Sequence, residues 1–298
     1  MIIVKLIGGL GNQMFQYATG RRLAHELGVD LKLDISGFNA SQSRRYDLSV
    51  FNIQEDFISG QELVTLVPAK SGKFRRLMNC FIRDSILVEK GRVEELALCF
   101  NPKVLTLSDG SYLDGYWQCE KYFIDIKEIL KVEFQMKTAQ DGKNKELAEM
   151  IASTDSVSIH VRRGDYLSAA HQTHGLCDLN YYKSAVQLLL KTIARPSFFI
   201  FSDDIAWCRE HLNLQHPTVF VDHNAPDNAF EDLRLMSQCK HNIIANSSFS
   251  WWAAWLNQHK DKIVIAPSTW FISKQFDGRD IVPSAWIKIP DPAGKGLV

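Results

Sequence analysis

The residues best suited to chemistry lie where an apolar run stops at charge: Ser158-Ile159-His160-Val161 gives way to Arg162-Arg163-Gly164-Asp165-Tyr166. A buried strand does not end in two arginines unless something neutralises them. Side chains alternate along a strand, so the two guanidinium groups leave on opposite faces until the chain turns at Gly164. One can grip a phosphate with its planar fork while the other pairs with protein, each charge-assisted bond contributing about 1.5–3 kcal/mol. The alternative is a solvated loop in which Arg163 pairs with Asp165, which contributes little.

A second candidate is Ile243-Ile244-Ala245-Asn246-Ser247-Ser248-Phe249-Ser250-Trp251-Trp252. Here a strand gives way to small polar residues and then to an aromatic helix. Ser247 or Ser248 can cap that helix, whose free N–H groups form an anion site. Trp251, Trp252 and Trp255 read as core rather than as stacking platforms. The third is Gly8-Gly9-Leu10-Gly11-Asn12-Gln13, close to a dinucleotide fingerprint but without its third glycine. Its glycines, Gly11 among them, permit close approach of backbone to a ligand, and Asn12 and Gln13 can reach it with amide groups.

Two carboxylate features remain. Ser202-Asp203-Asp204 ends a strand in the manner of a metal-binding pair. No histidine or further acid adjoins it, so a non-metal reading is preferred, with Asp204 capping a helix. Asp232, beside Phe230 and Leu233, can accept two N–H bonds from guanine N1 and N2, a match adenine does not offer; the alternative is a surface aspartate.

These groups need elements to hold them. Residues 1–7 read as a buried strand, Gln13–Leu27 as a helix stopped by Gly28, and Val29–Ile35 as a second strand, the opening of an α/β fold. The stretch 52–114 has no clear period. Helical patterns return over 121–134 and 145–153, and a polar break between them places a domain boundary at residues 140/141. Beyond it, strands are expected at 156–161, 197–201, 218–221, 242–245 and 262–266. Helices are expected at 180–192, 204–212, 227–238 and 249–258. Apolar strands alternating with helices imply a parallel sheet covered on both faces. The expected fold is therefore two Rossmann-like domains, 1–140 and 141–298, facing across a cleft, with ligands beyond the strands' carboxyl ends.

Composition narrows the partners. The chain of 298 residues is 46% hydrophobic and 23% charged, with 34 basic and 34 acidic side chains. That balance gives no general attraction to nucleic acid or anionic membrane, and Arg44-Arg45 and Arg75-Arg76 read as solvated pairs. Six scattered cysteines without a CxxC pattern argue against a zinc site or disulfide framework. No apolar run is long enough for a membrane span, and the expectation is a cytoplasmic protein, with peripheral membrane attachment left open.

Taken together and in order, GGLGNQMFQYA, HVRRGDY and NSSFSWWAAWL resemble the bacterial α-1,2-fucosyltransferases of glycosyltransferase family 11. The resemblance spans most of the chain and implies a GT-B fold and transfer of L-fucose from GDP-fucose to a terminal β-galactoside, without metal or cofactor. It also implies donor contacts from the C-terminal domain: Arg162 and Arg163 at the phosphates, the His160 backbone near guanine, Asp232 reading guanine, and Ser247, Ser248 and Phe249 at a second phosphate block. Asn12, beside Gly11, matches an asparagine facing the reaction centre. The related α-1,6 family carries a candidate glutamate base after its arginines; here residues 166–171 have no carboxylate, leaving Asp165, His171 and His174 as candidates. The rival readings are an NAD-dependent oxidoreductase, with Asp34 near the position of a ribose-binding acid, and a non-catalytic carbohydrate-binding protein.

Overall fold

The computed structural model describes residues 1–38, 44–67, 84–164, 171–273 and 276–290, with the side chains of His171 and Gln172 excepted. The chain divides into two compact units, Met1–Thr138 with Gln275–Ile281, and Ala139–Lys274 with Val282–Val298. The short segment returns to the first unit through Asp280, which accepts hydrogen bonds from the Phe100 N–H (3.1 Å) and the Lys121 ammonium (2.6 Å). The sequence pattern alone places this segment in the second domain, 141–298, because nothing local marks its return.

The first unit contains β1 (Ile2–Lys5), α1 (Leu10–Leu27), β2 (Leu31–Asp34), α2 (Gly60–Leu66), β3 (Ile86–Glu89), β4 (Arg92–Glu95), β5 (Tyr112–Asp114) and α3 (Lys127–Glu133). Its sheet runs β2-β1-β5-β4-β3, parallel except for the β3–β4 hairpin. Lys90 and Gly91 close that hairpin with φ of 50° and 87°, the paired left-handed positions of a tight turn. Helix α1 begins three residues before the expected Gln13, because the Gly9 carbonyl already accepts the N–H groups of Asn12 (2.9 Å) and Gln13 (3.1 Å). Gly28, at φ 64°, ends it as expected. Helix and strand touch closely: a Cβ on Gly20 would lie 2.1 Å from a Val4 methyl. The helix expected over 121–134 is broken into two 3₁₀ turns and α3, since fully buried Phe123 leaves the helical path at φ −148°.

The second unit contains α4 (Gly142–Ser153), β6 (Asp155–Val161), α5 (Leu179–Leu189), β7 (Pro196–Ser202), α6 (Ile205–His211), β8 (Thr218–Val221), α7 (Ala229–Gln238), β9 (His241–Ile243), α8 (Ser248–Leu256), β10 (Val264–Pro267) and β11 (Ile287–Ile289). The expected elements are present within a few residues; β11, short and largely exposed, was not foreseen. All six strands are parallel, in the order β11-β10-β9-β6-β7-β8. Every residue from Ser156 to Val161 is at most 4% exposed, so the central strand is covered on both faces. From β6 the chain adds β7 and β8 on one side, then returns to add β9, β10 and β11 on the other. The switch lies between β6 and β9, and crossovers there leave opposite ways, opening a crevice at the strands' carboxyl ends.

Candidate functional site

The two motifs of the second unit both empty into that crevice. Strand β6 runs into Arg162-Arg163-Gly164 and β9 into Ile244 through Ser247 and the start of α8. Pairing of Val157 with His241 and Ile159 with Ile243 sets the two strands side by side. The rings of His160 and Phe249, one from each motif, lie 5.7 Å apart. Two tyrosines of α5 fix the strand ends: the Tyr182 hydroxyl donates to the His160 carbonyl (3.2 Å) and the Tyr181 hydroxyl to the Ile244 carbonyl (2.6 Å). Buried Asn246 ties the adjoining loops by donating to the carbonyls of His174 (2.8 Å) and Trp270 (3.2 Å).

Ser247 occupies the N-cap of α8, yet its side chain makes no capping hydrogen bond, contrary to the expectation of a serine cap. The first intrahelical bond runs from the Trp251 N–H to the Ser247 carbonyl (3.0 Å). The N–H groups of Ser248, Phe249 and Ser250 precede it, at the positive end of the helix dipole. Trp251, Trp252 and Trp255 are core, as read from sequence. His160 faces this helix start from β6. Its ring is buried and Nδ1 has no hydrogen-bond partner among the described residues. Burial first, and then the positive charge of Arg162, push its pKa down to about 4, so the imidazole is neutral near pH 7.

Both arginines have carboxylate partners from the end of β7. Arg162 Nη1 lies 3.1 Å from Asp203 Oδ2. Arg163 donates its backbone N–H to Asp203 Oδ1 (2.8 Å) and its Nε–H to Asp204 Oδ2 (3.2 Å), and its guanidinium sits 4.0 Å from the Trp207 ring centroid. Asp204 also caps α6, accepting from the Trp207 N–H at 3.2 Å. Arg163, a candidate ligand-binding residue, is thus engaged with protein. Asp204 performs the expected cap.

Asp232 lies in the first turn of α7, the crossover helix after β8, on the same carboxyl edge. Its Oδ1 accepts from Asn224 Nδ2 at 2.7 Å, and Asn224 in turn donates to Asn144 Oδ1 (3.0 Å), which His223 also contacts (2.8 Å). Asp232 Oδ2 has no hydrogen-bond partner among the described residues. Burial pushes its carboxyl up to about 6, against the pull of Asn224. Asn224 and Asn144 were not picked out from sequence, since isolated asparagines carry no periodic signal.

In the first unit, Gly11 is buried in the opening turn of α1 and Asn12 follows it at the carboxyl edge of β1. Asn12 Oδ1 accepts from Gln118 Nε2 at 2.8 Å, and a Cβ on Gly8 (φ 79°) would lie 2.6 Å from Asn12 Nδ2. Gln13, expected to reach a ligand, is fully buried. It donates to the carbonyls of Gly8 (3.0 Å) and Arg45 (2.8 Å) and accepts from the Asp47 N–H (2.9 Å). Asp34 is likewise spent, on the Ser36 N–H (2.9 Å) and the Tyr112 hydroxyl (2.6 Å), which leaves the oxidoreductase reading without its ribose acid. Asp165 and the side chain of His171 lie outside the described residues; the His174 ring packs 5.2 Å from Phe271. Among the described residues no three histidine, cysteine or acidic side chains cluster as metal ligands, the five cysteines are thiols outside any disulfide, and no helix is long and apolar enough to cross a membrane.

Two Rossmann-like α/β units, the second with a polar cluster at its sheet's switch point, make up a GT-B fold. The family described as Glycosyl transferase family 11 matches residues 98–290. Over 298 residues the chain is 36% identical to the alpha-1,2-colitosyltransferase of Escherichia coli, covering 97% of this chain and 99% of that one. It is 31% identical over 301 residues to the O-antigen biosynthesis glycosyltransferase WbnK of Escherichia coli, covering 95% and 99%. In structure it is similar to a mutant of Arabidopsis thaliana FUT1 in complex with GDP, at 11% identity and a TM-score of 0.50, over 92% of this chain and 71% of that one. The chain belongs to glycosyltransferase family 11, a fucosyltransferase family, and is a glycosyltransferase.

Proposed function

We propose that the chain transfers L-fucose, or its 3-deoxy analogue colitose, from the GDP-sugar to the 2-hydroxyl of a terminal β-galactoside, with inversion at the anomeric carbon. The observation that carries this reading is the convergence of Arg162, His160 and the start of α8 at one switch point. The acceptor oxygen bonds to C1 as the bond from C1 to the phosphate oxygen breaks. The electron pair leaves on GDP, and the hydroxyl proton passes to a base or to solvent, with Asp165, His171 and His174 as candidate acceptors. Charge therefore develops on the diphosphate, where Arg162 and the N–H groups of Ser248 and Phe249 stabilise it. Asp203 and Asp204 are spent on arginines and a helix cap, which supports a metal-independent reaction. Asp232 reads guanine, and Asn12 serves the acceptor side. Asp232 Oδ2, without a partner among the described residues, favours a guanine donor over adenine. The O-antigen role of its relative points to a glycan acceptor of the same kind.

The test is transfer by the purified chain from GDP-fucose and GDP-colitose to a set of β-galactosides, with EDTA and with magnesium, the product linkage read by NMR. An α-1,2 product from either donor in EDTA supports the proposal, and the ratio of kcat/KM values decides between the sugars. Transfer only from a UDP-sugar, or only with metal, overturns it.

A further inference from the structure

Asp203 is the motif residue for which sequence reasoning found no role, and the structure gives it the central place beneath the arginines. Strands β6 and β7 pair with Val161 opposite Ser202, so the next residue on each, Arg162 and Asp203, emerge as neighbours. One carboxylate then makes two different contacts. Oδ1 accepts the Arg163 backbone N–H at 2.8 Å, fixing the main chain where it leaves the strand. Oδ2 lies 3.1 Å from Arg162 Nη1, fixing the guanidinium on that same main chain. The fit is close, for a Cβ on Gly164 would lie 2.8 Å from Oδ2. Asp204 does not duplicate this role, because its contacts are to Arg163 and the α6 N-terminus.

We propose that Asp203 is a positioning residue for the donor diphosphate, holding Arg162 in its binding orientation before the nucleotide arrives. The proposal rests on the assignment of Arg162 to the phosphates. A long arginine side chain loses rotamer freedom on gripping a ligand, and ordering it beforehand removes that cost from binding. The benefit is confined to ligands that carry phosphate. A carboxylate that served only to stabilise the fold would affect every ligand alike.

The experiment compares calorimetric Kd values for GDP and for guanosine in the wild type and in Arg162→Ala, Asp203→Asn, Gly164→Ala and the Arg162→Ala/Asp203→Asn double variant. Asparagine keeps an acceptor for the Arg163 N–H and removes the charge facing Arg162. Gly164→Ala keeps the charge and displaces it. Asp203→Asn is expected to weaken GDP about tenfold, the scale of one charge-assisted contact, with guanosine unchanged and no further loss in the double variant. Gly164→Ala should shift GDP affinity the same way by a smaller factor. The inference is overturned if Asp203→Asn binds GDP as tightly as wild type or tighter while Arg162→Ala weakens it, or if guanosine affinity falls in parallel. Wild-type GDP affinity in Arg162→Ala would instead remove the Arg162 assignment, and this role of Asp203 with it.

Discussion

Replacing Asp232 with asparagine should strip the protein of guanine selectivity. Among the described residues Asp232 Oδ2 has no partner, while Oδ1 is steadied by Asn224 at 2.7 Å. Guanine offers N1–H and the 2-amino group to such a carboxylate, each bond to a charged acceptor contributing about 1.5–3 kcal/mol. Asparagine keeps the shape but replaces one acceptor by a donor that opposes guanine's own, so GDP should weaken by about 10²-fold. Inosine diphosphate lacks the 2-amino group and should bind the wild type about tenfold more weakly than GDP. The variant should barely distinguish the two. Acidity adds a signature: the free carboxyl sits at about 6, and bound guanine requires it ionised. Between pH 7 and pH 5 the wild type should lose about tenfold more GDP affinity than Asp232→Asn. The terminal phosphate titrates equally with both proteins, so the difference between them isolates the carboxylate. Calorimetric titration with both nucleotides at both pH values measures all three effects. A variant that keeps the preference for GDP over inosine diphosphate, or the wild-type pH dependence, refutes the reasoning.

Other outcomes follow from the same geometry. Arg162→Ala should lower kcat by about 10²–10³, as expected for one lost preorganised donor; a near-normal rate would sink its role. Burial holds the His160 pKa at about 4 in the folded protein, below the ordinary imidazole value of about 6.5. It therefore contributes stability above pH 6.5 that is lost as pH falls through 4, an effect of about 3 kcal/mol. His160→Gln should flatten the fall in melting temperature over that window, and an unchanged profile would contradict its neutral burial. Asp232 acts with the opposite sign, its raised pKa costing stability as pH climbs from 4 to 6. Asp232→Asn without ligand should be more stable than wild type at pH 7, by about 1–2 kcal/mol after allowing for partial exposure, and melt at a higher temperature. Gly20→Ala, whose methyl would meet Val4 and Leu31, should cost about 1–3 kcal/mol of stability with GDP affinity unchanged, and wild-type melting would disprove the close packing of α1 on β1.

The sequence by itself determined the alternation of apolar strands and helices in residues 156–266, because continuous burial leaves long unbroken apolar runs and crossover helices leave a 3.6-residue period. It also marked the arginine and serine motifs, since polar groups at the end of a buried strand are costly without partners. Nothing local could show which strands are neighbours. Only the tertiary structure set β9 beside β6, and with it the serine turn beside the arginines. Only the register of β6 on β7 brought Asp203 under Arg162 and Asp204 under Arg163. The same holds where local reading failed. Gln13 and Asp34 carry the right groups at the right places in the chain, but whether an amide or carboxylate is offered to a ligand depends on which other groups of the fold reach it first. For Gln13 these are the Gly8 and Arg45 carbonyls and the Asp47 N–H; for Asp34 they include the hydroxyl of Tyr112 on β5.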